Sequence, residues 1–198
     1  MARSRAHDFA AKQRSILRSA AAVFAEVGMD KASMSQIAAH ADVSKALLYH
    51  YYPGRDALIF DILRTNLTEL DEAIAAADQP DLPPRQRLRG LVHAVLEQYR
   101  DADDYHKVQL NGTQTLPQDQ RDEIMAIERR IVRRFAAVIC QINPDLEAER
   151  PILMPVTMSI FGMMNWVYMW FKEGGPVSRA EYADLATDIL LGGIERLR

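Results

Sequence analysis

The sequence predicts an all-α protein of about nine helices, and three observations lead there. Apolar residues recur at spacings of three and four nearly from end to end. Period-2 alternation between turn residues, the mark of a half-buried strand, does not occur. The breaks between periodic stretches are helix stops: Gly28, Pro53-Gly54, the prolines at 80, 83 and 84, and Asn143-Pro144.

The elements follow in order. Ile16, Leu17, Ala20, Phe24 and Val27 make one stripe of a first helix that stops at Gly28. A short second helix follows Ser33 and turns Ile37, Ala38 and Ala41 inward. A third spans Lys45 to Tyr51, capped by Ser44 and ended by Pro53-Gly54. These three form an N-terminal bundle. A fourth starts near Arg55 with Leu63, Leu67, Leu70 and Ile74 on one face. Further helices are expected over 85–101, 103–114 and 118–142, the middle one interrupted at Asn111-Gly112-Thr113. An uncharged eighth covers about 151–172. After the Gly174-Gly175-Pro176 turn, Ser178 and Glu181 stand at capping-box spacing. The ninth helix repeats Tyr182, Leu185, Ala186, Ile189, Leu190, Gly193, Ile194 and Leu197.

Composition narrows the function. The 198 residues are 48% apolar and 26% charged, within the range of globular chains. The net charge of −3 conceals a split. Residues 1–55 carry Arg3, Arg5, Lys12, Arg14, Arg18, Lys31, Lys45 and Arg55 against Asp8, Glu26, Asp30 and Asp42, a balance of +4. The remainder carries −7, so the front end is built to meet an anion and the body to repel one. Domain limits of 1–55 and 56–198 follow. Cys140 is the only cysteine, which removes disulfide frameworks and thiolate metal sites. His7, His40, His50 and His93 lack metal spacing, so no metal and no cofactor is expected. No nucleophile elbow, P-loop, zinc-protease motif or dinucleotide fingerprint occurs, which argues against an enzyme.

The N-terminus has no apolar signal core, and a cytoplasmic protein is expected. Pro151 to Phe171 carries no charge and has the length of a membrane span. Its Pro155, Thr157, Ser159, Gly162, Asn165 and Tyr168 instead suggest a helix packed on all sides within protein, with no membrane contact.

The second and third helices, joined at Ala41-Asp42-Val43, fit a helix-turn-helix. The turn needs a positive φ, which aspartate tolerates. With Val43, Leu48 and Tyr52 inward, Lys45, Leu47, Tyr49, His50 and Tyr51 occupy the outer face. That face offers a cation, phenols and an imidazole to phosphates and base edges in a major groove. Ser33 and Ser35 open the second helix, where free N–H groups favour a phosphate oxygen, and Arg55 stands near. A helical hairpin with surface tyrosines is the plain alternative.

The stretch ILRSAAAVFAEVGMDKASMSQIAAHADVSKALLYHYYPGRDAL, Ile16 to Leu58, resembles the N-terminal domain of TetR-family transcriptional regulators. The resemblance implies that Ser44 to Tyr51 holds the recognition helix, with Lys45, Leu47, Tyr49 and Tyr51 facing DNA. It also places Arg55 where the family usually has a phosphate-binding lysine. Asp42, Met34, Tyr52 and Gly54 depart from the family's usual residues. A double-stranded DNA operator is the implied partner.

The body has two candidate faces. The resemblance implies that the last two long helices pair with their counterparts in a homodimer, as a palindromic operator requires. Leu185, Ile189 and Gly193 form a stripe that agrees with this, and Gly192-Gly193 permits close helix approach. Met154, Met158, Phe161, Met163, Asn165, Trp166 and Trp170 suit a pocket for a bulky, largely apolar effector. Ordinary core plus dimer contact explains the same residues. The run FGMMNWVYMW (161–170) and the following Gly-Gly-Pro resemble TetR regulators that answer to acyl-CoA thioesters, as do Leu116-Pro117 and Glu128 to Val132. Arg129, Arg130, Arg133 and Arg134 are then candidate CoA contacts, or a solvated helix face. The expected function is a ligand-responsive repressor released from a palindromic operator by a small effector, which the resemblance implies is an acyl-CoA. The competing reading is a helical protein–protein or membrane-interaction module that uses residues 151–171.

Overall fold

The computed structural model describes residues 2–148 and 151–197, with side chains over 9–147 and 151–197. The side chains of Arg3, Arg5 and Asp8, used in the charge argument, and of His7, used in the metal argument, lie outside the described residues. Among the described residues there are ten α-helices and no strand: α1 (Ala2–Val27), α2 (Met34–His40), α3 (Lys45–Tyr51), α4 (Arg55–Ala77), α5 (Pro84–Gln98), α6 (Asp103–Gly112), α7 (Gln118–Ile142), α8 (Asp145–Ala148), α9 (Leu153–Asn165) and α10 (Arg179–Ile194). The all-α expectation holds, and α8 is a single turn too short to leave a periodic signal.

Helix ends follow local chemistry. Gly28 terminates α1 at φ 88°, and Asp42 takes φ 50° in the α2–α3 turn. Ser33, Ser44 and Ser178 cap α2, α3 and α10 through their side-chain oxygens, with a full capping box at Ser33/Gln36 and Ser178/Glu181. Asp101 takes φ 57°, which no helix residue adopts, and α5 ends at Gln98 rather than 101. The expected helix over 151–172 stops at Asn165 and tightens into a 3-10 turn over Val167–Met169. There the inward stripe runs out: Val167 is buried, while Trp166, Met169 and Trp170 are more than half exposed.

The chain divides into two compact units. The first comprises residues 1–67 and 103–125. Ile16, Leu17, Ala20 and Phe24 of α1, Ile37 of α2, Leu48 of α3, Leu58 and Ile62 of α4, and Val108 of α6 form its core. This unit extends past residue 55 because the first half of α4 buries its apolar stripe here and α6 lies against α1. Gly112 permits that fit, since a Cβ there would sit 2.9 Å from the Ile59 side chain and 3.0 Å from that of Met29.

The second unit comprises residues 68–102 and 126–198. Its core joins Leu70 and Ile74 of α4, Leu88, Leu91, Val92 and Val95 of α5, Phe135 and Ile139 of α7, Ile160 and Phe161 of α9, and Ala186 and Ile194 of α10. Phe135 and Phe161 meet edge to face at 4.9 Å. The Asn143 amide donates to the carbonyls of Ile194 and Leu197, tying the end of α10 to the end of α7. Among the described residues no helix is long and apolar enough to cross a membrane.

Candidate nucleic-acid interface and a second, apolar face

α3 has seven residues, and Leu48 is the one buried within it. Its other side chains are therefore left for solvent or a partner. Lys45, Leu47, Tyr49 and His50 are exposed, and the Lys45 ammonium lies 5.9 Å from the centre of the Tyr49 ring. Tyr51 is only half-exposed: Phe9 of α1 stacks on it at 4.7 Å, and His50 meets it edge to face at 5.9 Å. One face of Tyr51 is thus occupied within the protein, and what it offers outward is its edge and hydroxyl.

The three serines differ in how much remains available. The Ser44 hydroxyl accepts from the Leu47 N–H. The Ser33 hydroxyl accepts from the Gln36 N–H, and the Ser33 N–H donates to the Gln36 amide oxygen. Ser35 is exposed on α2. Arg55 makes contacts that spacing could not reveal. Its Nη1 lies 2.9–3.2 Å from the carbonyl oxygens of Met29, Asp30 and Ala32, so it donates into the α1–α2 loop and holds that loop shut.

Behind the exposed face lies a polar cluster that sequence reading missed. The Tyr52 hydroxyl donates to Asp61 Oδ2 at 2.6 Å, and Gln13 Nε2 donates to the same Oδ2 at 2.9 Å and to the Tyr52 oxygen at 3.1 Å. Arg64 pairs with the other carboxylate oxygen at 2.5 Å. Burial pushes the Asp61 pKa up, but the hydrogen bonds from Tyr52, Arg64 and Gln13 outweigh it and hold the carboxyl below its usual range. Burial, and then the bond to Asp61, push the Tyr52 phenol the other way, so it stays a donor. A signal existed: Asp61 interrupts the apolar run Ala57-Leu58-Ile59-Phe60 before Ile62-Leu63, and Gln13 sits three residues before Ile16 on the inward stripe of α1.

The second unit exposes a different chemistry. On α9, Leu153, Thr157, Ile160, Phe161 and Met164 point inward, while Met154 and Met158 lie about half-exposed one turn apart. Gly162 and Trp166 continue the outward stripe at the same spacing. On α10, Ala183, Ala186, Thr187, Leu190 and Ile194 are buried, and Leu185 and Ile189 are exposed. Gly192 and Gly193 follow, and a Cβ at either would meet nothing within 4 Å. Two adjacent glycines in a helix cost about 1 kcal/mol each, and nothing in the chain's own packing requires them.

The seven residues expected to line an effector pocket are therefore divided. Phe161 is core and Met163 half-buried; Met154, Met158, Asn165, Trp166 and Trp170 are exposed. The Asn165 amide oxygen accepts at 2.7 Å from the Tyr99 hydroxyl, whose deep burial raises its pKa. Trp170 lines a cavity of about 390 Å³ with Phe171, Lys172, Val177, Tyr182 and Leu185. A second hollow in this unit, of about 540 Å³, is lined by Ala77, Ala94 and Leu96 together with Glu97, Arg100 and Arg179.

Comparison with known proteins accounts for most of the chain. The family pattern described as "Bacterial regulatory proteins, tetR family" matches residues 16–62, and "Tetracyclin repressor-like, C-terminal domain" matches residues 81–194. The transcriptional repressor KstR2 of Mycobacterium tuberculosis is 26% identical over 191 residues, covering 91% of this chain and 92% of that one. Among solved structures, a TetR-family regulator from Bordetella parapertussis is 33% identical with a TM-score of 0.84, covering 94% of this chain and 97% of the other. AibR, solved with isovaleryl coenzyme A and operator DNA, shares the fold at a TM-score of 0.74 and 24% identity, over 92% of this chain and 97% of its own. The helix-turn-helix head and the helical body thus each match their counterpart, and the chain belongs to the tetR family of bacterial regulatory proteins, which regulate transcription by binding DNA.

Proposed function

We propose that this chain works as a homodimeric repressor that a small effector, an acyl-CoA thioester, releases from a palindromic operator. The observation that carries the DNA half is the outer face of α3. One cation, two phenol hydroxyls and an imidazole stand on a two-turn helix capped at its start by Ser44. Lys45 and Tyr49 reach base edges and phosphates, and Ser33, Ser35, Leu47, His50, Tyr51 and Arg55 flank them. Two such heads on one duplex need a two-fold protein, with recognition helices 34–36 Å apart or a multiple of it. The outward stripes of α9 and α10 supply the self-association: Met154, Met158, Trp166, Leu185 and Ile189 gain by being covered, and Gly192-Gly193 lets helices approach closely.

The acyl-CoA reading rests on the resemblance of residues 161–176 to acyl-CoA-responsive regulators. It also agrees with AibR, a protein of this fold bound to isovaleryl coenzyme A and operator DNA. Within the second unit the 390 Å³ cavity suits the acyl portion, since Trp170, Phe171, Val177 and Tyr182 present apolar walls and Lys172 a cation for an anionic group. An effector acts by binding better to a conformation that cannot hold the operator, and its differential affinity sets the population released. A gel-shift titration against a panel of CoA thioesters checks this. Operator release is expected with some acyl-CoA and not with free CoA, and Trp170→Ala should blunt release while leaving DNA binding intact. No response to any acyl-CoA or free acid would sink the effector assignment.

A further inference from the structure

We propose that Asp61 is a positioning residue for operator reading. Through Tyr52 it fixes the roll of α3 about its own axis, and through Gln13 it locks that roll to α1. The inference rests on α3 being the helix that reads DNA.

The case begins with how little else holds α3. Leu48 is the single buried residue of its seven, and apart from it the helix is steadied from α1 by the stack of Phe9 on the half-exposed Tyr51; both contacts are apolar and resist lifting more than rolling, because hydrophobic packing is not directional. Tyr52 is the residue that ends the helix: its N–H closes the last turn on the Leu48 carbonyl at 2.9 Å. Its side chain therefore moves with the end of α3. That side chain is 5% exposed, and its hydroxyl donates to Asp61 Oδ2 at 2.6 Å. Asp61 is itself 6% exposed and is held from a second side by Arg64. Gln13 bridges both partners from α1 with two donated bonds from one nitrogen. Three helices thus meet at one carboxylate, and each bond to it has a direction as well as a length.

Geometry gives the consequence. A side-chain tip on a helix lies roughly 6 Å from the axis, so a roll of about 20° displaces it by about 2 Å. That is more than a hydrogen bond to a base edge tolerates. Contacts to phosphates by a flexible lysine tolerate it, because the ammonium can follow. Loss of the tie should accordingly damage discrimination between sequences more than affinity for DNA in general.

Stability alone is a poor reason for this cluster. Burying a carboxylate carries a desolvation penalty that an apolar filling of the same space avoids. Directional fixing of a short helix is something an apolar filling does not provide.

The test uses the full-length chain and the duplex it selects from a random library. Dissociation constants for that duplex and for an unrelated one of equal length are measured at one salt concentration, beside the thermal midpoint. Tyr52→Phe removes one buried oxygen and little volume; Asp61→Asn removes the charge. Each variant should bind the selected duplex about tenfold more weakly, keep its affinity for the unrelated duplex within about twofold, and so lose most of its selectivity. The double variant should be no worse than the poorer single one, because both break the same tie. Should Asp61→Asn not fold, Tyr52→Phe carries the decision. A Tyr52→Phe chain that fails to fold, or that folds and keeps its selectivity ratio, overturns the assignment and leaves the cluster a structural one. A wild-type chain that selects no duplex overturns the DNA reading as well, so the two failures are told apart.

Discussion

The outer face of α3 and the outward stripes of α9 and α10 are both exposed, yet they share almost no chemistry. α3 presents Lys45, Tyr49 and His50, groups that water solvates well and that a polyanion can recruit. The other face presents Met154, Met158, Trp166, Met169, Leu185 and Ile189, which are 47–59% exposed and each gain on the order of 1 kcal/mol by being covered. The first face can stay open in water at little cost. The second is a standing cost in water, which a second copy of the chain would remove. Exposure alone did not distinguish them; the polarity of what was exposed did.

The sharpest way to break this comparison is to charge the apolar face. Leu185→Asp combined with Ile189→Asp should weaken self-association by about a thousandfold or more, since each subunit would bury two carboxylates without partners. Sedimentation velocity across a concentration series reads the change. The head should still fold, and operator affinity should fall with the dimer.

Acid separates the two units next. His106, on α6 in the first unit, is buried, and that burial lowers its pKa from 6.5 to about 4. The unfolded chain therefore takes up the proton first. Stability is full above about pH 6.5 and declines as pH falls from 6.5 toward 4, by on the order of 3 kcal/mol in total. Asp61, held below its ordinary 3.8, adds a further loss in more acidic solution still. Hydrogen exchange at pH 7.5, 6 and 5 should show α1–α3 and α6 loosening before α5 and α10, and His106→Gln should flatten the slope.

On the DNA face the effects are smaller. Lys45→Ala and Tyr49→Ala should each weaken operator binding by about tenfold with the dimer unchanged, and Lys45→Ala should also lower the salt slope by about one. Anisotropy titrations at several salt concentrations measure both. A variant that also lost the dimer would mean these residues serve the fold instead. Smallest is Ser178→Ala, which removes the α10 cap and should cost about 1 kcal/mol in a thermal melt, with neither face altered.

The sequence revealed helices wherever one apolar stripe faced one core. α2, α3 and α7 end where their spacing and caps place them, and Asp42 takes the positive φ its turn demands. It failed where the determinant was non-local. Periodicity ran the eighth expected helix on to 172, but the inward stripe ends near Met164, and Trp170 packs edge-on against Tyr182 of α10 at 5.0 Å. Residue type marked Met154, Met158 and Trp166 as pocket material or dimer contact, and their place on the outward stripe of α9 leaves both readings standing, because an outward and an inward stripe of an uncharged helix look alike before their neighbours are known. The Gln13–Tyr52–Asp61 cluster joins residues up to 48 positions apart, and only the aspartate inside an apolar run hinted at it.

The most direct test of the account is a hydroxyl-radical footprint of the full-length chain on the duplex it selects. Two protected patches related by a two-fold axis, one helical turn or a multiple apart, are expected. They should vanish together when Leu185 and Ile189 are both changed to Asp, and fade in parallel with Lys45→Ala. A single asymmetric patch, or protection indifferent to both changes, would contradict the assignment of one face to DNA and the other to a second copy.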